Sequence, residues 1–420
     1  MPVGVSPDAA ENTTERLPLA RVLPAIGGVY TAQSVVGGLT FLGVPAVLRA
    51  NGVALDTIGL VSLAMLPWAL KFLWAPQVER YRLPHGRPRR SRDIVVVGQL
   101  LAAGALLLLA TTGPVAHWTL FAALALVALT SATIDIACDG FAVEQLAPAD
   151  RGWGNTAQVG GGYLGMVLGS GLFLILVPLV GWGAAVVLLA GALMLLVVPF
   201  ALVRETTATA SGSIPHRPSL RFALARKEVR LGLLITALFE AGIRLAQGMV
   251  NPFLVDAGAD LATLGLLTGV GAAAAGIVGT ACGGLVVRLA GASRAVVIAL
   301  VLQTAIVALL CVAAMSATKA ISLLLALAIL KTIVMAVGFV ALYSLLMGLS
   351  SLRQAGVDFT LFQCADAAVA AVGGASAGVL AQHLGYAPCF AVAALLGTIA
   401  LMVIPILLLR VAATTSDGNS

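Results

Sequence analysis

Twelve runs of predominantly apolar residues fall near 22–48, 57–75, 94–112, 118–142, 154–177, 181–203, 231–254, 262–287, 295–316, 320–349, 356–381 and 386–409. Each is long enough to cross a bilayer as a helix. Inside hydrocarbon every backbone N–H and C=O must be satisfied within the spanning structure, which leaves helices and closed barrels. These runs are continuous rather than alternating, so the barrel is excluded. Only 10% of the residues are charged and the mean hydropathy is +1.04, where soluble domains carry about 25% charged residues. The expected fold class is an all-α membrane protein with twelve transmembrane helices in two six-helix bundles.

Lys and Arg set the expected orientation. With the N-terminus inside, nearly every basic residue falls on the cytoplasmic side, and the outer side receives only Arg49 and Lys319. Both termini are therefore expected in the cytoplasm, and the net charge of +6 reads as an orientation signal, not as a nucleic-acid footprint. The predicted organisation is a cytoplasmic tail at 1–20, a six-helix bundle at 21–203, a cytoplasmic linker at 204–230, a second bundle at 231–410 and a cytoplasmic tail at 411–420. The linker contains SLRFALARKEVR, a basic amphipathic piece that suits either the anionic inner leaflet or a solvated helix. Small residues recur at the same ordinal position in each half: Gly161, Gly165 and Gly169 on the fifth run, Ala370, Gly374 and Gly378 on the eleventh. Such ladders let helices approach closely, as a duplicated architecture requires.

Several chemistries find no support. The five Cys lie in apolar runs without CxxC spacing, and the four His fall in or beside loops, so no metal site is expected. Lys occurs only at 71, 227, 319 and 331, and none closes a GxxxxGK[ST] loop. Without a nucleotide site, active transport has to draw on an ion gradient or on a separate partner protein. No HExxH or GxSxG set lies at depth, so an enzyme is not expected, nor a cofactor.

The informative residues are the charges at membrane depth. A carboxylate there costs about 2.5–3.5 kcal/mol on insertion scales, so it survives where it meets water, a substrate or a partner. Asp135 and Asp139 stand one helical turn apart on the fourth run, sharing a face with no cation on the adjoining turns. Glu240 and Arg244 repeat that spacing on the seventh run, as either a structural pair or a functional one. Lys331 lies on the tenth run and Asp366 on the eleventh. Tyr30 and Gln33 are the polar groups of the first. Asp135, Asp139, Glu240 and Asp366 are candidate proton-coupling groups; Tyr30, Gln33, Arg244 and Lys331 are candidate substrate-binding groups. Lys71, near the inner mouth, is expected to snorkel to the interface.

The loop after the second run, WAPQVERYRLPHGRPRRSR, is rich in Arg. Glu79, Arg80, Arg87, Arg89 and Arg90 face Glu144 and Arg151 at the same inner level, so charge-assisted bonds to helix ends are expected to form a cytoplasmic gate that latches the outward-open state.

Twelve spans in six plus six with this loop resemble the major facilitator superfamily. The stretches FLWAPQVERYRLPHGRPRRSR and IDIACDGFAVEQLAPADRGWGNTAQVGGGYLGM look like the branch holding the AmpG muropeptide permeases, the acetyl-CoA transporter-like proteins and the RhtX/FptX siderophore permeases, with the wording of the first closest to the RhtX/FptX group. One departure is visible: Tyr81-Arg82-Leu83-Pro84-His85 separates the acidic-Arg pair from the Gly-Arg that usually follows at once. The resemblance implies a cavity lined by spans one, four, seven and ten. The expected function is proton symport of a ferric siderophore, pyochelin- or rhizobactin-like, across the bacterial inner membrane by a monomer in the lipid bilayer. An AmpG-like muropeptide permease, an exporter of small organic molecules and a non-transporting receptor are the alternatives.

Overall fold

The computed structural model describes residues 16–53, 61, 64, 66–84, 88–113, 117–205, 217–259, 267–316 and 320–417. Every regular element among them is a helix. α1 (Leu19–Gly38) passes through a π-helical turn, Leu39–Gly43, into α2 (Val44–Ala50). α3 (Leu66–Leu70) and α4 (Ala75–Arg82) are separated by a tight 3-10 turn at Lys71–Leu73. There follow α5 (Ser91–Thr112), α6 (His117–Gln145), α7 (Arg151–Met166), α8 (Phe173–Val180) and α9 (Trp182–Ala201). The short α10 (Leu220–Ala225) leads into α11 (Lys227–Asp256), α12 (Ala272–Ala290), α13 (Ala292–Met315), α14 (Ile321–Leu349), α15 (Ala355–Leu384) and α16 (Tyr386–Asp417).

By length and apolar composition, ten described segments qualify as membrane spans. α11 is equally long, at 30 residues, but carries Glu240 and Arg244 at its middle. The second predicted run is only partly visible, because 57–60, 62, 63 and 65 lie outside the described residues, as do 262–266 of the eighth. α16 runs on to Asp417, so the stretch from 411 expected as a tail continues the last helix.

The internal repeat is written in the turns. Between α8 and α9 the chain reverses at one residue, Gly181, with φ 84°. Between α15 and α16 it does the same at Gly385, with φ 87°. These are the connections between the last two spans of each half, and the left-handed backbone that each needs is open to Gly at no steric cost.

The two halves are pinned internally by close backbone approach. A Cβ on Gly165 would lie 2.3 Å from Thr31 O, and one on Gly169 would lie 2.0 Å from Val35 O, so α1 and the α7–α8 span touch main chain to main chain. In the second half the contact takes in only part of the predicted ladder. Gly373 lies against Arg244, with Ala377 fully buried, and a Cβ on Gly248 of α11 would stand 3.6 Å from Gly374 Cα, whereas a Cβ on Gly378 would meet nothing. Small residues are so common on α15 that the sequence offers two adjacent stripes, and packing against α11 draws on both.

The apolar core shows how the halves meet. One cluster joins both, running from Val22 and Phe141 to Val287, Met347 and Phe359; its members lie toward the helix ends nearest the Arg-rich loop. Toward the opposite ends the core divides into Val35–Leu193 residues of the first half and Ile243–Ala393 residues of the second. The molecule is therefore a wedge, shut at the Arg-rich end and parted at the other. The linker helix α10 lies on the shut end, with Ala223 packed against Ala75 and Ile136 of one half and Val357 of the other. It is capped by Ser219, whose Oγ accepts from Phe222 N–H at 3.2 Å, and breaks at Arg226. Both halves cover the Ala223 face of α10, while Arg221, Leu224 and Ala225 stay exposed.

Replacing Gly169 by Ala should cost about 1–3 kcal/mol through overpacking, while Gly171→Ala, with open space around it, should stay within about 0.5 kcal/mol. Thermal unfolding of the purified full-length protein in detergent compares the two.

Candidate functional site

Between the halves lie two adjoining chambers of about 320 Å³ each, which share Ser34, Gln158, Met166 and Tyr343. Each chamber has a charged wall belonging to one half.

The first wall centres on Asp135 and Asp139. They share a face of α6, as their spacing requires, and both are buried. Lys71 donates to Asp135 and to Gln363 of α15. This overturns the expectation that Lys71 snorkels away. The proline-flanked second span breaks into a 3-10 turn at Lys71, which turns the ammonium inward, where it is only 3% exposed. The cation missing from α6 thus comes from another span. The Tyr30 hydroxyl donates to Asp139 Oδ1 at 2.7 Å. Asp139 Oδ2 is buried with no donor among the described residues. The Gln33 amide, turned to satisfy both groups, donates to Asp135 at 2.8 Å. Trp68 and Phe41 stand edge to face beside this wall, 6.1 Å between ring centres.

The second wall centres on Arg244. Its guanidinium donates to Asp366 Oδ1 at 2.6 Å and lies 2.9 Å from Glu240 Oε2. The contact to Glu240 is close but misaligned: neither Glu240 oxygen accepts a hydrogen bond. Tyr343 OH donates to Asp366 Oδ2 at 2.9 Å, and Phe339 lies under the guanidinium at 4.8 Å. Gly373 makes room for the start of the Arg244 side chain, since a Cβ there would stand 3.1 Å from Arg244 Cβ.

The walls match. Each holds one cation and two carboxyls. In each, one carboxylate (Asp135, Asp366) takes the cation and borders the cavity, while the other (Asp139, Glu240) is at most 1% exposed and keeps at least one buried oxygen without a donor. Lys331 joins neither wall; its partner is Gln247 of α11. Among the described residues no three His, Cys, Asp or Glu side chains gather as a metal-ligand set.

At the shut end the expected gate residues divide. Glu79, Glu144 and Arg89 come together, but around Arg82, which sequence reading left out of the gate. Arg82 is fully buried. It donates to both oxygens of Glu79 at 2.8 Å and to both oxygens of Glu144 at 2.8–2.9 Å. Arg89 lies 2.9 Å from Glu144. The guanidinium rests on α6 at Gly140, where a Cβ would stand 2.8 Å from its Cζ. The signal was present, because Arg82 follows Glu79 by three residues on a helical piece. Glu79 Oε1 also accepts the Gly356 N–H at 3.1 Å, placing a carboxylate on the first turn of α15 in the opposite half. Arg80 instead donates to Pro218 O at 3.0 Å, and Arg90 stacks over Tyr81 at 4.9 Å. Arg151 crosses to the end of α14, its Nη1 at 2.7 Å from where a Gly348 Cβ would be. Arg87 lies outside the described residues. Beside this cluster α7 and α12 touch through small residues, with Thr156 Oγ1 donating to Thr280 O at 2.9 Å and a Gly152 Cβ falling 3.0 Å from Gly284 O.

A helical wedge of two packed halves, with ionisable walls facing one central cavity, is the architecture of a membrane transporter. Residues 26–245 match the family described as Major Facilitator Superfamily, and the chain belongs to it. It is 31% identical over 269 residues to the anhydromuropeptide permease of Escherichia coli (strain K12), covering 61% of this chain and 54% of that protein. It is 32% identical over 139 residues to an uncharacterized protein of Haemophilus influenzae, covering 33% of this chain and 32% of that protein. The chain thus spans about half the length, or less, of these curated relatives. Among solved structures it is similar to the human organic anion transporter, with a TM-score of 0.72 at 15% identity, covering 93% of this chain and 100% of that one. It is also similar to the Escherichia coli fucose:proton symporter, with a TM-score of 0.69 at 12% identity, covering 92% and 98%. A third similar structure is a bacterial homologue of the iron transporter ferroportin in an outward-facing state, with a TM-score of 0.65 at 17% identity, covering 94% and 99%. At these identities the solved structures establish the fold alone.

Arg82→Met should leave Glu79 with only the Gly356 N–H and Glu144 with only Arg89 and cost about 3–5 kcal/mol, with Arg82→Lys falling between because an ammonium cannot bridge both in bidentate fashion. Unfolding temperature in detergent, read for the three proteins side by side, orders them.

Proposed function

We propose that this protein is a proton-coupled importer of an anhydromuropeptide-type solute, an acidic amino-sugar bearing a short peptide, across the bacterial inner membrane. The matched walls of the cavity carry the reading. With all groups ionised each wall holds one positive and two negative charges, a surplus of one negative charge in a place that disfavours it. One proton per wall removes that surplus. Asp139 and Glu240, each with a buried oxygen lacking a donor, are the groups to hold it. Protonating a wall also loosens the claim of its carboxyls on Lys71 or Arg244, which then turns to the carboxylate of an incoming solute. Tyr30 and Gln33 add hydrogen bonds on the first side, and Trp68 with Phe41 offers an apolar platform for a sugar face. Loss of the protons on the far side restores the internal pairs and expels the solute.

The shut end carries the Arg-rich loop, which the distribution of Lys and Arg assigns to the cytoplasm, so the wedge is the outward-open form. The cluster of Glu79, Arg82, Arg89 and Glu144, with Arg151, acts as its inner gate. The named relative handles anhydromuropeptide, which favours that cargo over the siderophore expected from the loop wording.

Uptake of labelled anhydromuropeptide into proteoliposomes under an inward proton gradient tests the reading. Wild-type accumulation should rise as the external pH falls and collapse with a protonophore. Asp139→Asn and Glu240→Gln should each equilibrate solute by exchange yet no longer concentrate it. Undiminished gradient-driven accumulation in both variants would remove the proton role, and uptake of ferric siderophore without anhydromuropeptide would reverse the cargo.

A further inference from the structure

α11 carries a polar stripe that the cavity wall uses only in part. Glu240, Arg244, Gln247 and Asn251 follow at spacings of four, three and four residues, so they share one helix face over about 16 Å. Glu240 and Arg244 belong to the wall described above. Gln247 and Asn251, both exposed, continue toward the parted end and border a separate pocket of about 160 Å³ with Lys331 and Thr332 of α14.

Lys331 is the anomaly in that pocket. Three Lys or Arg side chains are buried among the described residues: Lys71, Arg82 and Lys331. Lys71 and Arg82 both meet carboxylates. Lys331, 4% exposed, makes no ion pair among the described residues and donates to the Gln247 amide oxygen. A cation removed from water and answered only by a neutral dipole is short of counter-charge. The neighbouring Asn251 amide supplies a further donor, whereas the Thr332 hydroxyl is spent on Ala328 O at 3.0 Å, and the pocket volume admits a carboxylate with a few waters but not a sugar.

We propose that Lys331, Gln247 and Asn251 form an anion subsite that holds a carboxylate group of the transported solute on the parted side of the cavity. The stripe joins this subsite to Arg244, one turn further in, so an acidic solute meets Lys331 first and Arg244 next. This deepens the function proposed above and rests on its acidic cargo.

Two readouts on the full-length protein test it. The first is the unfolding temperature in detergent against sodium acetate, with sodium chloride at matched ionic strength as the second arm. A ligand that binds the native state alone stabilises it in proportion to occupancy. Acetate should raise the wild-type transition more than chloride does, Lys331→Gln should lose the difference, and Lys331→Arg should keep it. Gln247→Glu supplies the missing counter-charge from within, so it should unfold higher than wild type and ignore acetate. The second readout is uptake of anhydromuropeptide as free acid and as methyl ester. Lys331→Gln should raise KM for the acid about tenfold, the loss of one moderate charge contact, and leave the ester unchanged. An unaltered acid-to-ester ratio together with an unaltered acetate response in Lys331→Gln overturns the subsite. Equal stabilisation by chloride and acetate overturns its carboxylate assignment. Should the wild type ignore anhydromuropeptide while acetate stabilisation still depends on Lys331, the cargo reading falls and the subsite stands.

Discussion

The desolvation of charge organises this molecule. Its interior and its surroundings are both poor in water, so an ionised side chain stands only where an opposite charge or a set of donors answers it. That single constraint places Arg82 between Glu79 and Glu144, Arg244 between Glu240 and Asp366, and Lys71 on Asp135. It also identifies the groups that the constraint leaves unsatisfied. Asp139, Glu240 and Lys331 are all at most 4% exposed, and each falls short of a full set of partners. In a chain with so few charges, those three are the groups to which the proposed proton and anion roles are assigned.

The two halves reach the same charge count by different routes. The second half takes its cation from α11 itself, one turn from Glu240. The first half has no basic residue on α6 and imports Lys71 from the broken second span. What repeats between the halves is therefore the electrostatic unit, not the positions of its members. The backbone repeats more literally, in the single-glycine reversals at Gly181 and Gly385 and in the close pairing of α1 with α7 and of α11 with α15. Fold and site obey different rules here: main-chain geometry restricts turns to particular residues, whereas a charge can be answered from any neighbouring helix.

That difference explains what the sequence made legible. The spans were legible because hydrocarbon leaves a 20-residue apolar run few alternatives. The shared face of Asp135 and Asp139 followed from helical period alone. The partner of that pair did not, because Lys71 comes from a segment whose helix breaks at the lysine, and hydropathy does not register a 3-10 turn. The two unanswered aspartates were themselves the clue that a cation had to arrive from elsewhere. At the shut end, the spacing of Glu79 and Arg82 was readable but was obscured by the density of Arg nearby; only packing shows that Gly140 clears a bed for Arg82 and not for Arg80. On α15 the ladder is only partly legible for a similar reason, since Gly373-Gly374 and Ala377-Gly378 present two adjacent stripes, and only the position of α11 shows that Gly373, Gly374 and Ala377 meet it while Gly378 faces open space.

The same constraint bears on how the halves can part. Among the described residues no ion pair crosses from one half to the other: the Arg82 cluster and Lys71–Asp135 lie wholly in the first half, the Arg244 pairs lie wholly in the second, and Arg226 of the linker pairs with Asp358 of the second half at 2.5 Å. What crosses is weaker or neutral on one side. Glu79 meets a backbone N–H of Gly356, Lys71 meets the Gln363 amide, Asn155 meets Ser344 at 3.2 Å, and Thr156 meets a carbonyl. Breaking a buried ion pair by removing one partner costs about 3–5 kcal/mol, whereas a hydrogen bond exchanged for water costs about 0.5–1.5 kcal/mol. With every strong pair kept inside a half, opening the shut end exposes no charge to hydrocarbon without its partner. The small-residue contact of Gly152 with Gly284 separates with little apolar area to lose. Each half can then move as a body with its ion pairs intact, and under the function proposed above the protons and the acidic solute are the terms that bias which way the wedge opens.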